Sequence, residues 1–390
     1  MTSAPGAPVV VTGGGTAGHV LPALAIARAL VAGGRRADSV WYVGSQRGME
    51  ARLVGAAGFR LTLLPGRGIP RRISAESAAA ALSLAGACAA GIALVRRLRP
   101  AAVVTVGGYA GLPAALGALL WRVPLVVVNV DAVPGAANRL VAPFAAASAV
   151  ALAGTPLPRA VVTGAPVREE VLAVDRAPAG RFAARAALGL PQDAPVLAVT
   201  GGSLGAGRLN EAVLGLLAAW RGPADLVVYH VAGERNRAAV AAAAPATALD
   251  YRVVGYEERL PELLAAADVV VCRAGASTVA ELGVIGTPAI LVPLPGAPGD
   301  HQHRNAERLA AAGAAVLLAD AAASGTRLAE EVAALLADPV RRAEMEQNAR
   351  RLGRRDAASA VARLVEEVAR RGQLRDRTAD APGATPAVPR

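Results

Sequence analysis

Lysine is absent from this sequence, and aromatic residues are few. All 41 basic side chains among the 390 residues are arginine, and Phe, Trp and Tyr together make up 3%. With so few large rings, a core has to be built from Ala, Val and Leu, which suits helices packed on a buried parallel sheet. The lack of stacking platforms and of any reader motif also sets nucleic acid aside as a partner. Cysteine is scarce as well. Cys88 and Cys272 lie far apart in apolar settings. They offer neither a disulfide framework nor a zinc site, and a reducing compartment fits. The first residues lack the basic start, long apolar run and cleavage site of a signal peptide. Charged residues, at 18%, are outweighed by 54% hydrophobic ones, which excludes wholesale disorder.

What is present is positive charge and length. The net charge of +11 favours anionic partners, such as nucleotides or acidic lipid surfaces. The length suits two domains, each with its own core. The stretch Ser77 to Val95 is uncharged and long enough to raise the question of a membrane span. It is mostly Ala and Gly, so insertion would be weakly driven. Arg67, Arg71 and Arg72 precede it, and Arg96, Arg97 and Arg99 follow. Two readings stay open: a core helix with solvated ends, or an apolar patch ringed by Arg that rests on an anionic leaflet.

Short β-branched runs alternate with Ala/Leu-rich segments. The predicted strands are Pro8–Thr12, Val40–Val43, Leu61–Leu64, Ala102–Val106, Leu125–Asn129, Val196–Thr200, Leu226–His230, Tyr251–Val254, Val269–Arg273 and Ala289–Val292. Near-continuous apolar strands between helical segments indicate α/β architecture with parallel sheets. Val11-Thr12-Gly13-Gly14 opens one half and Val199-Thr200-Gly201-Gly202 the other. A strand–glycine turn–helix unit used twice predicts two related Rossmann-like domains, 1–165 and 166–371, with a disordered polar tail over 372–390.

Five motifs carry the chemistry. Gly13-Gly14-Gly15-Thr16-Ala17-Gly18-His19 matches G-x-G-x-x-G, and the helix start it introduces offers N–H groups to an anion. No acid ends the second strand, Tyr42-Val43-Gly44-Ser45, so a nicotinamide cofactor is disfavoured. His19 stands at the helix mouth as a site residue or a cap. Gly107-Gly108-Tyr109-Ala110-Gly111 places a second backbone-rich turn at the same sheet edge. Gly201-Gly202-Ser203-Leu204-Gly205-Ala206 is its counterpart in the second half. Ser203 there can bond a phosphate oxygen, but the Lys-Ser/Thr ending of a P-loop is missing. Arg273-Ala274-Gly275-Ala276-Ser277-Thr278-Val279-Ala280-Glu281 supplies small residues, two hydroxyls and an acid. Glu281 is either a solvated helical acid or a ribose ligand. In Asp300-His301-Gln302-His303-Arg304-Asn305, the spacing does not support a metal site, and sugar hydroxyl recognition fits better.

In this order the motifs resemble the MurG family of inverting glycosyltransferases, over about Val9 to Val316. The best-matching parts are Gly13–Leu24, Pro134–Asn138, Gly201–Asn210 and Cys272–Pro288. The resemblance implies two Rossmann-like domains facing a cleft (the GT-B arrangement), no metal and no cofactor. It further implies transfer of N-acetylglucosamine (GlcNAc) from UDP-GlcNAc to undecaprenyl-diphosphate-linked MurNAc-pentapeptide, in peptidoglycan synthesis at the cytoplasmic face of the cell membrane. The first domain would face the acceptor and an anionic leaflet, and the second would bind the UDP-sugar. By position, the donor-binding turn is similar to Thr16-Ala17-Gly18, with Ala17 in place of a usual Gly. Arg168 corresponds to a diphosphate contact, Ser203 to the family's Gly-Gly-Ser serine, and Ala276 through Ala280 to the uridine and phosphate loop. Glu281 corresponds to the ribose acid and Gln302 to the sugar-reading residue. Asn210 is given a structural role. One departure stands out: a family Glu is Asn129 here, and a family Asn is Asp131. Residues two apart in an extended segment point the same way, so the pair is expected to keep an acid and an amide on one face, exchanged. Asp131 then supplies the carboxylate, and His19 and Asp131 are the candidate bases. The exchange is also compatible with another lipid or natural-product acceptor or with a catalytically silent UDP-sugar-binding protein; a UDP-sugar epimerase of the same fold is a further rival, which a lipid-facing Arg patch does not support.

Overall fold

The computed structural model describes residues 7–46, 49–66, 75–202 and 206–379, with side chains from 80 onward in the third segment and up to 373 in the last. The chain divides into two compact units. Unit 1 comprises Met1–Asn129, Pro134–Thr163 and Asp356–Arg390; unit 2 comprises Val130–Val133 and Gly164–Arg355.

In unit 1 the strands are β1 (Val9–Thr12), β2 (Val40–Ser45), β3 (Arg60–Leu64), β4 (Ala102–Thr105), β5 (Leu125–Asn129), β6 (Ala147–Val150) and β7 (Ala160–Val162). The helices up to Thr163 are α1 (Ala17–Ala32), α2 (Glu50–Ala56), α3 (Ala75–Leu98), α4 (Leu112–Leu120) and α5 (Ala136–Val141). The strands form one sheet in the order β3-β2-β1-β4-β5-β6-β7. Every pairing is parallel, for example Val11 opposite Tyr42 on one side and Val104 on the other. The inner strands β1, β4 and β5 are buried along their length, as a sheet covered on both faces requires.

Unit 2 repeats this plan. Its strands are β8 (Val196–Thr200), β9 (Val227–Val231), β10 (Asp250–Val254), β11 (Val269–Cys272), β12 (Ala289–Leu291) and β13 (Ala315–Leu317). Its helices are α6 (Glu169–Ala173), α7 (Pro178–Ala187), α8 (Gly207–Ala219), α9 (Arg237–Ala242), α10 (Leu260–Ala266), α11 (Ala276–Ile285), α12 (His301–Ala311), α13 (Gly325–Ala337) and α14 (Pro339–Leu352). The order is β10-β9-β8-β11-β12-β13, again all parallel. Each sheet reverses its winding direction next to its first strand, between β1 and β4 and between β8 and β11. Loops at the carboxyl ends of such strands diverge and leave room for a ligand. The glycine turns read from the sequence stand at those four strand ends.

Three strands escape the sequence reading. Ala147–Val150 and Ala315–Leu317 are short and carry little β-branched signal, and β7 is an exposed edge.

The domain limits need correction at the C-terminus. Residues 166–371 do not all belong to the second unit, and 372–379 are not a disordered tail. A last helix, α15 (Ala357–Ala379), belongs to unit 1. Val361, Ala362, Val365, Val368 and Ala369 recur at helical spacing and are buried. This apolar stripe lies on α1 and on β4, β5 and β6. Arg35 fastens it by donating to both carboxylate oxygens of Glu366, at 2.7 and 2.9 Å. Residues 380–390 lie outside the described part.

The long apolar stretch read as Ser77 to Val95 falls in α3, whose segment Ala80–Leu98 is long and apolar enough to cross a membrane by length and composition alone. One side of α3 packs closely on α4. A Cβ on Gly91 would come 2.6 Å from the Pro113 backbone, and one on Gly117 would come 2.9 Å from Val95. Its other side is open, with Leu82 75% exposed and 22% of the segment buried. The packed side fits the reading as a core helix, and the open side is the one that the membrane reading concerns.

Candidate functional site

In unit 1, β1 runs into the Gly13–Thr16 turn and α1. Gly15 has φ +90°, and a Cβ there would come 2.6 Å from the Tyr109 ring, so both conformation and space require glycine. Thr16 is the N-cap of α1 but makes no side-chain capping bond. Its hydroxyl instead lies 3.1 Å from Nδ1 of His19. Ala17 and Gly18 are the first helical residues. Neither has a positive φ, so Ala17 is unstrained where the family has glycine. The turn after β4 lies beside this one: a Cβ on Gly108 would come 2.7 Å from the Gly14 carbonyl and 3.5 Å from the His19 ring. Thr16, Ala17, Gly18 and His19 are therefore brought together with Gly107–Gly111.

One residue here was not found from the sequence. Glu50, at the start of α2, is fully buried, and its Oε1 accepts from the amides of Gly15 and Ser45, each at 3.0 Å. Its signal in the sequence, a lone Glu before a short helix, is indistinguishable from a solvated first-turn acid.

In unit 2, β11 delivers the chain to Gly275, the N-cap of α11, which has no side chain to cap with. Ala276, Ser277, Thr278, Val279 and Ala280 form the first turns of α11. The amide of Val279 bonds back to Gly275, while the preceding helix-start amides point out of the helix end. Buried Oγ of Ser277 has no hydrogen-bond partner. A hydroxyl held dry next to a positive helix end is arranged to meet a ligand oxygen.

One turn on, Glu281 is buried. Arg168 Nε donates to its Oε1 at 3.1 Å. Burial pushes the Glu281 carboxyl above the usual range, and the Arg168 guanidinium offsets part of that rise. The reading of Glu281 as a solvated acid is thereby removed. Arg168, assigned to the diphosphate from the sequence, stands against Glu281, so its charge reaches this site through that pair.

Gln302 lies in the first turn of α12, where its Oε1 accepts from the Leu294 amide at 3.0 Å and pins the preceding loop. His301 Nδ1 lies 2.9 Å from the Pro298 carbonyl, and His303 pairs with Glu307. Among the described residues no group of three or more His, Cys, Asp or Glu could hold a metal ion. Ser203 lies outside the described residues. Gly202 before it has φ +85°, the turn geometry that glycine supplies.

Asn305 was quoted in the motif but given no role. It is buried, and it holds the segment Val130–Val133. Its Oδ1 accepts from the Ala132 amide at 2.8 Å, and its Nδ2 donates to Asp131 at 2.9 Å and to the Ala274 carbonyl at 3.1 Å. Asn129, by contrast, is buried in β5 and accepts from Asn138 at 3.2 Å. The expected common face for Asn129 and Asp131 does not describe these contacts. β5 ends at Asn129, the chain bends at Asp131, and the two side chains take bonds from different elements. Arg273, which opens the fourth motif, was likewise given no role from the sequence. It is buried, with Nη1 donating to the carbonyls of Val292 and Pro293 and to Asp320 at 2.6 Å, and it supports the loop that leads to Gln302.

Asn210, given a structural role from the sequence, lies buried in α8. Its Nδ2 donates to Ala232, and its Oδ1 lies 3.1 Å from Nε2 of buried His230. Nδ1 of His230 lies 2.9 Å from the Tyr251 hydroxyl.

With this geometry in place, comparison with known proteins gives a consistent result. The glycosyltransferase family 28 N-terminal domain matches residues 9–150, and the family 28 C-terminal domain matches 196–361. A protein of Acidothermus cellulolyticus named UDP-N-acetylglucosamine–N-acetylmuramyl-(pentapeptide) pyrophosphoryl-undecaprenol N-acetylglucosamine transferase is 44% identical over 370 residues, covering 93% of this chain and 98% of that one. A protein of the same name from Streptomyces coelicolor is 40% identical over 362 residues, covering 92% and 97%. The crystal structure of Acinetobacter baumannii MurG superposes with a TM-score of 0.71 at 28% identity, covering 92% of this chain and 98% of that one. Two parallel sheets with the same winding, the glycine turns at their switch points and these matches across nearly the whole chain lead to one conclusion: the chain belongs to the MurG family within glycosyltransferase family 28.

Proposed function

We propose that this protein moves N-acetylglucosamine from UDP-GlcNAc to the 4-hydroxyl of undecaprenyl-diphosphate-linked MurNAc-pentapeptide, with inversion, as a peripheral protein at the cytoplasmic face of the membrane. The observation that carries the donor half of this reading is the start of α11. Uncapped helix amides, a buried Ser277 hydroxyl without a partner and buried Glu281 occur within six residues. Such a set fits a nucleoside diphosphate: amides and hydroxyls for phosphate oxygens, and a carboxylate for two ribose hydroxyls.

The chemistry follows from charge. The acceptor oxygen attacks the anomeric carbon as the bond to the UDP oxygen breaks, and negative charge grows on the departing diphosphate. The α11 helix start and Arg168 stabilise that charge as fixed positive potential. Asp131 takes the acceptor proton. Its carboxylate is aimed by Asn305, from the same helix that carries Gln302, so base and sugar-reading residue are held by one element. In unit 1 the turn Thr16-Ala17-Gly18 serves UDP-GlcNAc, as the resemblance implies, and His19 beside it is the second candidate base.

The test is radiolabel transfer by the purified protein from UDP-GlcNAc to undecaprenyl-diphosphate-MurNAc-pentapeptide. A labelled disaccharide-pentapeptide lipid is expected. UDP-GlcNAc binding without any labelled lipid would leave a silent binder in its place.

A further inference from the structure

Glu50 is a buried acid outside the residues assigned to the reaction. One oxygen accepts two backbone N–H groups, from Gly15 and Ser45, and the other, Oε2, is buried with no partner. The surroundings are shaped around it. A Cβ on Gly14 would come 1.8 Å from Oε1, and one on Gly44 would come 2.7 Å from Cγ. Two glycines, Gly14 in the turn after β1 and Gly44 near the end of β2, thus leave the space that this side chain fills. Ser45 extends the link, since the Tyr109 hydroxyl donates to its Oγ at 3.1 Å, and Tyr109 belongs to the turn after β4. Tyr42 closes the set by donating to the Gly13 carbonyl at 2.7 Å.

A half-satisfied buried carboxyl is a poor stabiliser, because burial without full hydrogen bonding costs free energy. Its geometry does fix a shape. Oε1 ties the turn that leads to His19 to the end of β2, and through Ser45 and Tyr109 to the third turn. The Gly15 amide is directed inward by the same bond, so any anion at this edge has to be met by the α1 start at Ala17 and Gly18 instead.

We infer that Glu50 is a positioning residue for the reaction: one oxygen, accepting from the turn after β1 and from the end of β2 at once, sets His19 for the lipid-linked acceptor. The inference rests on the proposed transfer and on unit 1 serving the acceptor. It makes a demand on shape rather than on charge. Gln keeps an oxygen at the same reach, and its amide nitrogen would stand where Oε2 already lacks a partner. Asp keeps the charge but is one methylene short of both amides.

Glu50→Gln and Glu50→Asp are therefore compared with the unaltered protein for turnover of the muramyl lipid, UDP affinity and thermal midpoint. The expected result has three parts: Glu50→Gln within about threefold of the unaltered kcat/KM for the lipid, Glu50→Asp lowered about tenfold or more, and UDP affinity unchanged in both. Should Asp retain turnover while Gln abolishes it, the carboxylate charge is what matters and the inference is overturned. It is equally overturned if both variants turn over the lipid normally, or if Asp lowers UDP affinity and thermal midpoint together with turnover. An unaltered protein that transfers no sugar would fail the proposed function instead, before any variant is compared.

Discussion

Individual side chains decide the chemistry, and three of them yield measurable outcomes. Replacing Asp131 with Asn removes the proposed base while keeping an acceptor for Asn305. The expected loss in kcat is about a hundredfold to ten-thousandfold with UDP still bound, and unchanged turnover would take Asp131 out of the mechanism. Arg168 lowers what burial raises at Glu281. Arg168→Ala should therefore shift Glu281 further up, so that UDP affinity falls at a higher pH than in the unaltered protein. Titrations of UDP binding from pH 5 to 8, monitored by calorimetry, check this. His230 supplies a pH-dependent stability. Burial pushes it down to about 4 from 6.5. Between those values the unfolded chain binds a proton that the folded one refuses. Stability is therefore fully present above 6.5 and declines as pH falls toward 4, by about 3 kcal/mol in all. Its bonds fit a neutral ring with the proton on Nε2, donating to Asn210 and accepting from Tyr251 at Nδ1. Urea unfolding at pH 7 and pH 4.5 should show the decline, and His230→Gln should flatten it.

Secondary elements carry the fold, and α15 is the one whose loss is most informative. Val365 is fully buried on unit 1. Val365→Ala should cost about 2 kcal/mol from lost burial and the cavity left behind, seen as a lower unfolding temperature for the calorimetric transition of unit 1. If only the transition of unit 2 moved, the packing described for α15 would be wrong. The element scale also marks where the sequence can be read. Val-rich strands such as Leu125–Asn129 and Val196–Thr200 announce themselves because they are buried on both faces. Ala147–Val150 does not, because its alanines are equally at home in a helix. The glycine turns were readable since their backbone conformations demand that residue. Glu50, Asn305 and Arg273 were not, because each acquires its role in part from partners distant in sequence, up to 174 residues away for Asn305. The destination of α15 was hidden for the same reason: its stripe predicts burial but does not name the sheet that covers it.

At the scale of the molecule, the excess of arginine has a place on unit 1. Exposed Leu120 and Phe144 line a groove of about 1040 Å³ that also includes Arg122, Arg159 and Arg371, and Trp121 next in sequence is exposed as well. Arg96 lies 5.0 Å over the Trp121 ring. Apolar side chains among guanidinium groups suit an anionic lipid surface. Flotation should recover the protein with vesicles containing phosphatidylglycerol and much less with neutral ones. Reversing Arg122 and Arg159 to Glu should lower the bound fraction about tenfold. Equal recovery with both vesicle types would remove the charge from the argument.

The return of the chain to unit 1 has a consequence for engineering. Residues 164–355 form an insertion within the fold of unit 1, entered at Thr163 and left at Asp356. A guest module from a relative with a different sugar nucleotide has to be spliced at two junctions, because cutting at one strands α15. Such a hybrid would inherit residues 130–133 from its host, including Asp131, while the side chain that aims it comes from the guest. Only guests with asparagine at the position of Asn305 should then yield working hybrids.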